Sequence, residues 1–294
     1  MANALENCPA PAKINLFLHV TGRRDDGYHL LQSVFHLIDL ADTLSFRARA
    51  DGQITLTGGL PNVAFADDLC VRAARLLREH TGTGQGADIV LQKRIPSGAG
   101  LGGGSSDAAT TLMALNHLWH TGLTRDELAQ LGLRLGADVP FFIFGETAFV
   151  EGIGEHMQAV PLAAGCFVVV YPGVTVSTGA IFGDEGLTRD AENVRMRDFI
   201  EDTAGSIQSA MCFGRNDLQA VACKRFPEVK RAIEWLSRFA PSRMSGSGSA
   251  VFAAVTNPAE GQRIVRQCPG GWQAWCVAGL AQHPMRQRLA VSNR

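Results

Sequence analysis

A dense run of small residues in the first half of the chain has the composition of a phosphate-binding loop. Five glycines occur between positions 98 and 104, directly before Ser105 and Ser106. Glycine lets backbone N–H groups approach an anion closely. The following residues predict the start of a helix, where free N–H groups and a partial positive charge face outward. The candidate polyphosphate-binding residues are Pro96, Ser97, Gly98, Ala99, Gly100, Leu101, Gly102, Gly103, Gly104, Ser105 and Ser106.

This run matches two other classes of glycine-rich loop, the Walker loop and the dinucleotide-binding loop, less well. A Walker loop requires a lysine that is missing here. Gly98, Gly100 and Gly103 match the spacing of a dinucleotide fingerprint, and Asp126 lies near the expected ribose carboxylate. That fingerprint requires a strand after the helix, whereas a second helix is predicted here. A nicotinamide-dependent oxidoreductase and a non-catalytic nucleotide sensor remain as alternatives at this point.

Two charged residues next to apolar segments are candidates for catalysis. Asp138 lies within the largely apolar segment 135–142, and Lys13 directly precedes the apolar segment 14–18. A buried carboxylate without a partner is costly, so Asp138 should have one. From the residues alone, Asp138 could instead be a turn residue, and Lys13 could be a surface cation at the entrance of a strand.

The elements around these residues predict an α+β protein with two lobes that meet near residues 150–160. Predicted strands cover residues 14–20, 34–38, 43–49, 54–57, 87–93, 166–171 and 250–255. Predicted helices cover residues 67–80 and 106–119 and begin again at 124, 227 and 258. The predicted domains are residues 1–155 and 156–294.

The composition limits the partners and the compartment. The formal net charge of −1 argues against a nucleic-acid binder that uses a broad basic surface. Seven widely spread cysteines predict reduced thiols and a cytoplasmic protein. No apolar stretch approaches the ~20 residues that a membrane span requires. We therefore expect a small-molecule partner, with neither nucleic acid nor membrane, and a monomer or homodimer.

Four segments in order resemble the motifs of the GHMP kinase superfamily. They are residues 11–18, 96–109, 135–142 and 242–252. The resemblance implies a two-lobed fold with a ribosomal-protein-like α/β N-terminal lobe. A C-terminal lobe of antiparallel sheet and helices would complete it, with the active site in the cleft between the lobes. It also implies ATP as phosphoryl donor, Mg²⁺ with ligands that the sequence does not identify, and Lys13 with Asp138 as the catalytic pair.

The long glycine loop and residues 21–29 resemble one branch of that superfamily in particular. This branch phosphorylates the 2-hydroxyl of a cytidine diphosphate-linked methylerythritol in the non-mevalonate isoprenoid pathway. The resemblance implies that five residues surround this substrate, namely Asn15, Tyr28, His29, Thr178 and Phe182. Homoserine and mevalonate kinases of the same superfamily are the alternatives within it.

Overall fold

In the computed structural model, residues 3–292 are described. The strands of this part of the chain form one sheet, which is antiparallel except where β3 pairs with β4. In chain order the strands are β1 (Ala4–Arg23), β2 (His29–Arg49), β3 (Ile54–Gly58), β4 (Gly86–Gln92), β5 (Ala148–Gly152), β6 (His156–Ala159), β7 (Cys166–Tyr171), β8 (Ser242–Met244), β9 (Val251–Val255) and β10 (Gln273–Leu280).

The helices cover the sheet in both halves of the chain. In chain order they are α1 (Leu69–Thr81), α2 (Gly103–Leu118), α3 (Arg125–Leu133), α4 (Val139–Phe144), α5 (Thr178–Phe182), α6 (Met196–Thr203), α7 (Ile207–Cys212), α8 (Gln219–Arg225), α9 (Pro227–Leu236), α10 (Pro258–Val265) and α11 (Pro284–Ser292). None of these helices is both long and apolar enough to cross a bilayer.

The predicted strands 34–38 and 43–49 are in fact parts of one long strand, β2, so their separation was wrong. Two charged residues, Asp39 and Asp42, interrupt the apolar pattern between the two segments. Asp42 is nevertheless fully buried, because its carboxylate accepts hydrogen bonds from the backbone of Ile95 at 2.8 Å and from Lys93. A charged residue can occupy the middle of a strand when such partners are present.

Helix α2 begins at Gly103, three residues before the predicted start, and α4 was not predicted as a helix. Glycine has low helix propensity, so the run 102–104 was interpreted as loop. In the structure Gly102 is the N-cap residue, and the next two glycines form the first turn. The end of the glycine run is therefore part of a helix N-terminus.

The sheet and helices enclose three apolar clusters, each represented here by one or two of its buried residues. The first, with Phe46 and Leu112, lies between the first part of the sheet and helices α1 to α4. The second, with Phe17 and Phe252, connects the two halves. The third, with Val170, lies under α9. The predicted two-lobed α+β architecture is confirmed.

The end of the chain returns to the first lobe. Strand β10 pairs with β7 over most of its length and with β2 at Gly279 and Leu280. Met285 at the start of α11 is fully buried in the first cluster. The domain boundary between 155 and 156 stays a prediction, and residues 1, 2, 293 and 294 lie outside the described part.

Candidate active site

The glycine loop has its carbonyl groups bonded to neighbouring segments and its N–H groups free. All five carbonyls from Gly98 to Gly102 accept hydrogen bonds. Their donors, in order, are Val176 N, Ala250 N, Ser245 Oγ, Lys13 N and Ser106 N, at 2.9–3.1 Å. In the described part of the chain, none of the backbone hydrogen bonds that join loops and turns is donated by the N–H groups of residues 97–104. The loop therefore presents a concave row of donors, as an anion site requires.

Close packing explains why two of these positions must be glycine. Gly100 has φ +72°, and a Cβ there would meet the carbonyl oxygen of Ser245. Gly102 also has φ +72°, and its Cβ would lie 2.9 Å from Phe142 and 3.2 Å from the side chain of Lys13. The loop is thus in contact with the turn after β8, with α4 and with β1. Segment 242–252, one of the four segments that resemble family motifs, therefore packs directly against the loop.

A cavity of about 440 Å³ opens over this loop. Residues 96–105 line it, together with Lys13, Asn15, Lys93, Asp107 and Asp138. Ser106 lies behind them, fully buried, and its N–H donates to Gly102. Among the described residues its side-chain hydroxyl has no hydrogen-bond partner, and its contact with phosphate stays a prediction.

A second cavity of about 550 Å³ adjoins the first. Tyr28, His29 and Asp26 line it, and Tyr28 is 59% exposed. The rings of His29 and Phe182 lie 4.9 Å apart at an angle of 34°. Five residues line both cavities, namely Leu31, Ser105, Asp138, Thr178 and Phe182. A molecule in the second cavity and one in the first would therefore meet beside Asp138.

Lys13 and Asp138 lie together at this junction. The Lys13 Nζ is 3.6 Å from Asp138 Oδ2 and 4.5 Å from the centre of the Phe35 ring. The Lys13 side chain is almost fully buried, whereas the Asp138 side chain is 33% exposed. Asp138 precedes α4 but caps no N–H group with its side chain. Its carboxylate is thus held by a cation on one side and open to the cavity on the other.

Asn15 orients Lys13. Its Oδ1 accepts from Lys13 Nζ at 2.7 Å, and its Nδ2 donates to Ser33 Oγ at 3.0 Å. Because alternate residues of a strand share a face, β1 places Lys13 and Asn15 side by side. Asn15 is fully buried, so the geometry supports a positioning role first, and its contact with substrate stays a prediction. Thr178 Oγ1 lies 2.8 Å from Ser247 Oγ at the edge of the first cavity.

A buried charge cluster in the first cavity was not predicted from the sequence. Lys93 Nζ donates to Asp107 at 2.7 Å and also to Asp42. Burial raises the pKa of Asp107 to about 8. The charge of Lys93 lowers this pKa in part, whereas the charge of Asp42 raises it. Asp107 Oδ1 has no hydrogen-bond partner. The only signal for this cluster was the position of Lys93 and Asp107 on either side of the glycine run.

The protein offers few ligands for a metal ion. In the described part of the chain, no three His, Cys, Asp or Glu side chains lie close enough together to hold one. Among the carboxylates that line the first cavity, Asp107 is buried with one unpartnered oxygen and Asp138 is partly exposed. These residues fit an ion such as Mg²⁺ that keeps most of its ligands from phosphate and water.

Comparison with known proteins gives one consistent result. The family model described as GHMP kinases N terminal domain matches residues 68–146, and the model described as GHMP kinases C terminal matches residues 196–273. A protein of Azoarcus sp. (strain BH72) is 56% identical over 97% of this chain and 98% of its own length. One of Ralstonia nicotianae (strain ATCC BAA-1114 / GMI1000) is 54% identical over 96% of each chain. Both are named 4-diphosphocytidyl-2-C-methyl-D-erythritol kinase.

Solved structures agree with these sequence relatives. A crystal structure of 4-(cytidine 5'-diphospho)-2C-methyl-D-erythritol kinase superposes with a TM-score of 0.78 and 33% identity, over 92% of this chain and 98% of that one. A homoserine kinase from Cytophaga hutchinsonii ATCC 33406 superposes with a TM-score of 0.69 at 18% identity, over 96% and 97% of the two chains. This second likeness shows the fold alone.

Proposed function

Because the chain belongs to the GHMP kinases, we propose that it transfers a phosphoryl group from ATP to the 2-hydroxyl of 4-diphosphocytidyl-2-C-methyl-D-erythritol. Relatives with this kinase name are 50–56% identical over nearly the whole chain, which supports the substrate. The reaction is a step of the non-mevalonate isoprenoid pathway. The oxidoreductase alternative is not supported, since α2 leads into α3 and not into a parallel strand.

One observation carries the proposal at the level of the site. Asp138 lies where the two cavities meet, and its carboxylate is paired with Lys13. The first cavity has free N–H donors and the N-terminus of α2, which suit a triphosphate. The second has aromatic rings, which suit a nucleobase. Only the atoms to be joined, the terminal phosphorus and the acceptor oxygen, need to approach Asp138.

The mechanism follows from this arrangement. Asp138 orients the acceptor hydroxyl and accepts its proton as the oxygen attacks the terminal phosphoryl group. The ammonium group of Lys13 lies 3.6 Å from Asp138 Oδ2 and holds this carboxylate in place at the junction of the cavities. This ammonium group and the loop N–H donors also offset the charge on the phosphoryl oxygens. Phosphoryl transfer depends mainly on such positioning and electrostatics.

Mg²⁺ is the expected companion of ATP. When bound, it would neutralise charge on the phosphate oxygens. The carboxylates that line the first cavity are Asp67, Asp68, Asp107 and Asp138, and the phosphates and water would supply its other ligands. The protein's own contribution is the row of N–H donors, which holds the phosphates in place.

On the acceptor side, aromatic side chains support binding of the cytosine base. Tyr28 and Phe182 lie on the wall of the second cavity and provide ring faces for the base. His29 lies beside Phe182 and provides polar atoms. Thr178 lies between the cavities, near the expected position of the methylerythritol and its phosphates. Stacking of one base on an aromatic face contributes about 1–3 kcal/mol.

A panel of acceptors tests this function directly. ADP formation from Mg-ATP is measured with 4-diphosphocytidyl-2-C-methyl-D-erythritol, free methylerythritol, homoserine and mevalonate. We expect rapid turnover only with the cytidine-linked acceptor, and ³¹P NMR of the product should show a new phosphomonoester at the 2-position. Faster turnover of homoserine or mevalonate would overturn the substrate assignment. The cytoplasmic location and the monomeric or homodimeric state stay predictions.

A further inference from the structure

Arg189 connects two parts of the second cavity that are far apart in sequence. Its Nε donates to His29 Nε2 at 3.0 Å. The rest of its guanidinium donates to three backbone carbonyls, those of Leu187 at 3.0 Å, Phe182 at 3.0 Å and Asp184 at 2.7 Å. Four hydrogen bonds thus fix the position of this group. Its position relative to the His29 ring is therefore fixed by the segment after α5.

This contact determines where His29 carries its proton. A guanidinium group stays charged and can only donate hydrogen bonds. The Nε2 of His29 must then be the acceptor, so the ring proton is on Nδ1. A doubly protonated ring would direct its own N–H at that of Arg189. Burial lowers the pKa of His29, and the charges of Arg189 and Arg23 lower it further, which also favours the neutral ring.

The remaining ring nitrogen is available to a ligand. His29 lines the second cavity and packs beside Phe182. Among the described residues, no hydrogen bond is made by His29 Nδ1, and this atom is not one of the buried polar atoms without a partner. His29 thus has one N–H donor free at the wall where the base is expected to bind.

We propose that Arg189 is a positioning residue that fixes His29 as an Nδ1–H donor and so makes the second cavity select cytosine over uracil. The inference rests on the proposed function, because it assumes a pyrimidine in this cavity. Cytosine has acceptors at N3 and O2, whereas uracil carries a hydrogen on N3. A donor fixed opposite N3 therefore bonds to cytosine but faces another donor in uracil, and an unmatched buried donor is costly.

NMR of the ligand-free protein tests the tautomer without any turnover. Long-range ¹H–¹⁵N correlation spectra of ¹⁵N-histidine protein distinguish a protonated Nδ1 from a protonated Nε2. We expect His29 to be the Nδ1–H form in the wild type and a mixture of tautomers in Arg189→Met. A wild-type His29 in the Nε2–H form would overturn the proposal, and this result does not require the variant to fold.

Arg225→Met is the matched control. Arg225 donates to Ala180 O at 2.9 Å and to Asp184 Oδ2 at 3.2 Å, so it anchors the same segment without touching His29. We expect its His29 spectrum to match that of the wild type. If Arg225→Met changes the tautomer as much as Arg189→Met does, the effect comes from the segment as a whole, and the specific role of Arg189 is refuted.

Kinetics with paired acceptors test the selectivity. The ratio of kcat/KM for the cytidine-linked over the uridine-linked acceptor should fall about tenfold or more in Arg189→Met and stay unchanged in Arg225→Met. An equal loss with both acceptors would show a merely structural role and overturn the proposal. If the wild type phosphorylates neither acceptor, the proposed function fails instead. Calorimetric titration with CDP and UDP then measures the same ratio, and equal wild-type affinities would overturn the inference.

Discussion

At the scale of single residues, the proposed reaction depends on the position of Asp138, because this residue lines both cavities. The adjacent cation is almost fully buried, and its partners are fixed by β1. The sequence pointed to this aspartate through the cost of burying a lone carboxylate. It did not reveal that a neighbouring amide, Asn15, would orient Lys13. Residues two apart on a strand are expected to lie side by side, so a contact between Lys13 and Asn15 could have been anticipated. That the amide oxygen of Asn15 accepts a hydrogen bond from Lys13 could not.

Replacing Asp138 by asparagine should reduce kcat while leaving ATP binding intact. The change keeps the size of the side chain but removes the group that accepts the proton, and such groups contribute about 10²–10⁴-fold. Steady-state kinetics and an ATP-analogue titration measure the two effects separately. Asp126→Asn on α3 is the control, since Asp126 lies outside both cavities. An Asp138→Asn protein with normal kcat would refute the assigned role.

Asp107 should make the protein less stable as the pH rises from about 4 to about 8. Its pKa in the folded protein is raised to about 8 from 3.8. Between these two pH values the folded protein keeps a proton that the unfolded chain releases. The resulting contribution of Asp107 to folding stability is fully present below pH 4 and is lost as the pH rises through 8. Urea unfolding at a series of pH values should show a shallower decline for Asp107→Asn. Identical slopes for the two proteins would contradict this prediction.

At the scale of elements, sequence patterns identified most strands and helices but missed what tertiary contacts decide. The start of a helix at 124 could be predicted because its signal is local, and Thr124 forms a capping box with Glu127 at the start of α3. The continuity of β2 could not be recognised, since the partners of Asp42 lie about fifty residues away. The early start of α2 could not be predicted for a related reason. Packing against Phe142 and Ile95 permits only small residues there, and a run of glycines does not indicate a helix.

Gly100→Ala should weaken ATP binding beyond any effect of its lower folding stability. The new methyl group would meet the carbonyl of Ser245 and push the loop out of its anion-binding shape. Positive φ alone costs about 1–2 kcal/mol for a non-glycine residue. Gly122→Ala separates the two effects, because Gly122 has the same φ of +72° with nothing within 4 Å. We expect a raised KM for ATP only in Gly100→Ala. Equal KM values in the two variants would argue against a role of the glycine loop in binding ATP.

At the scale of the whole molecule, the two lobes share one sheet and an apolar cluster that connects them. The proposed catalytic residue Lys13 is on β1, the proposed phosphate-binding loop lies between β4 and α2, and the turn that supports the loop follows β8. Residues from both ends of the chain are thus required at one site. The sequence order of the motifs indicated this, whereas the return of α11 to the first lobe had no recognisable signal.

Met285→Ala should destabilise the first lobe although the residue lies near the C-terminus. Met285 is fully buried in the cluster under α2, and truncating such a side chain costs about 2–5 kcal/mol. Gln287→Ala on the exposed side of the same helix is the control. Thermal and urea unfolding should show a large loss for the first variant only. Comparable losses in both would show that α11 contributes through its helix and not through this contact.

The pairing of β10 with β2 has a consequence for biosynthesis. Along one edge of β2, β5 covers residues 31–35 and β4 covers residues 43–49, while β10 reaches Leu37 and Ile38 between them. A nascent chain emerging from the ribosome therefore has an open stretch of strand edge at Leu37 and Ile38, beside the candidate active site, until Gly279 and Leu280 are translated. Open edges invite pairing with other chains. Chaperone protection during translation should matter most for this stretch.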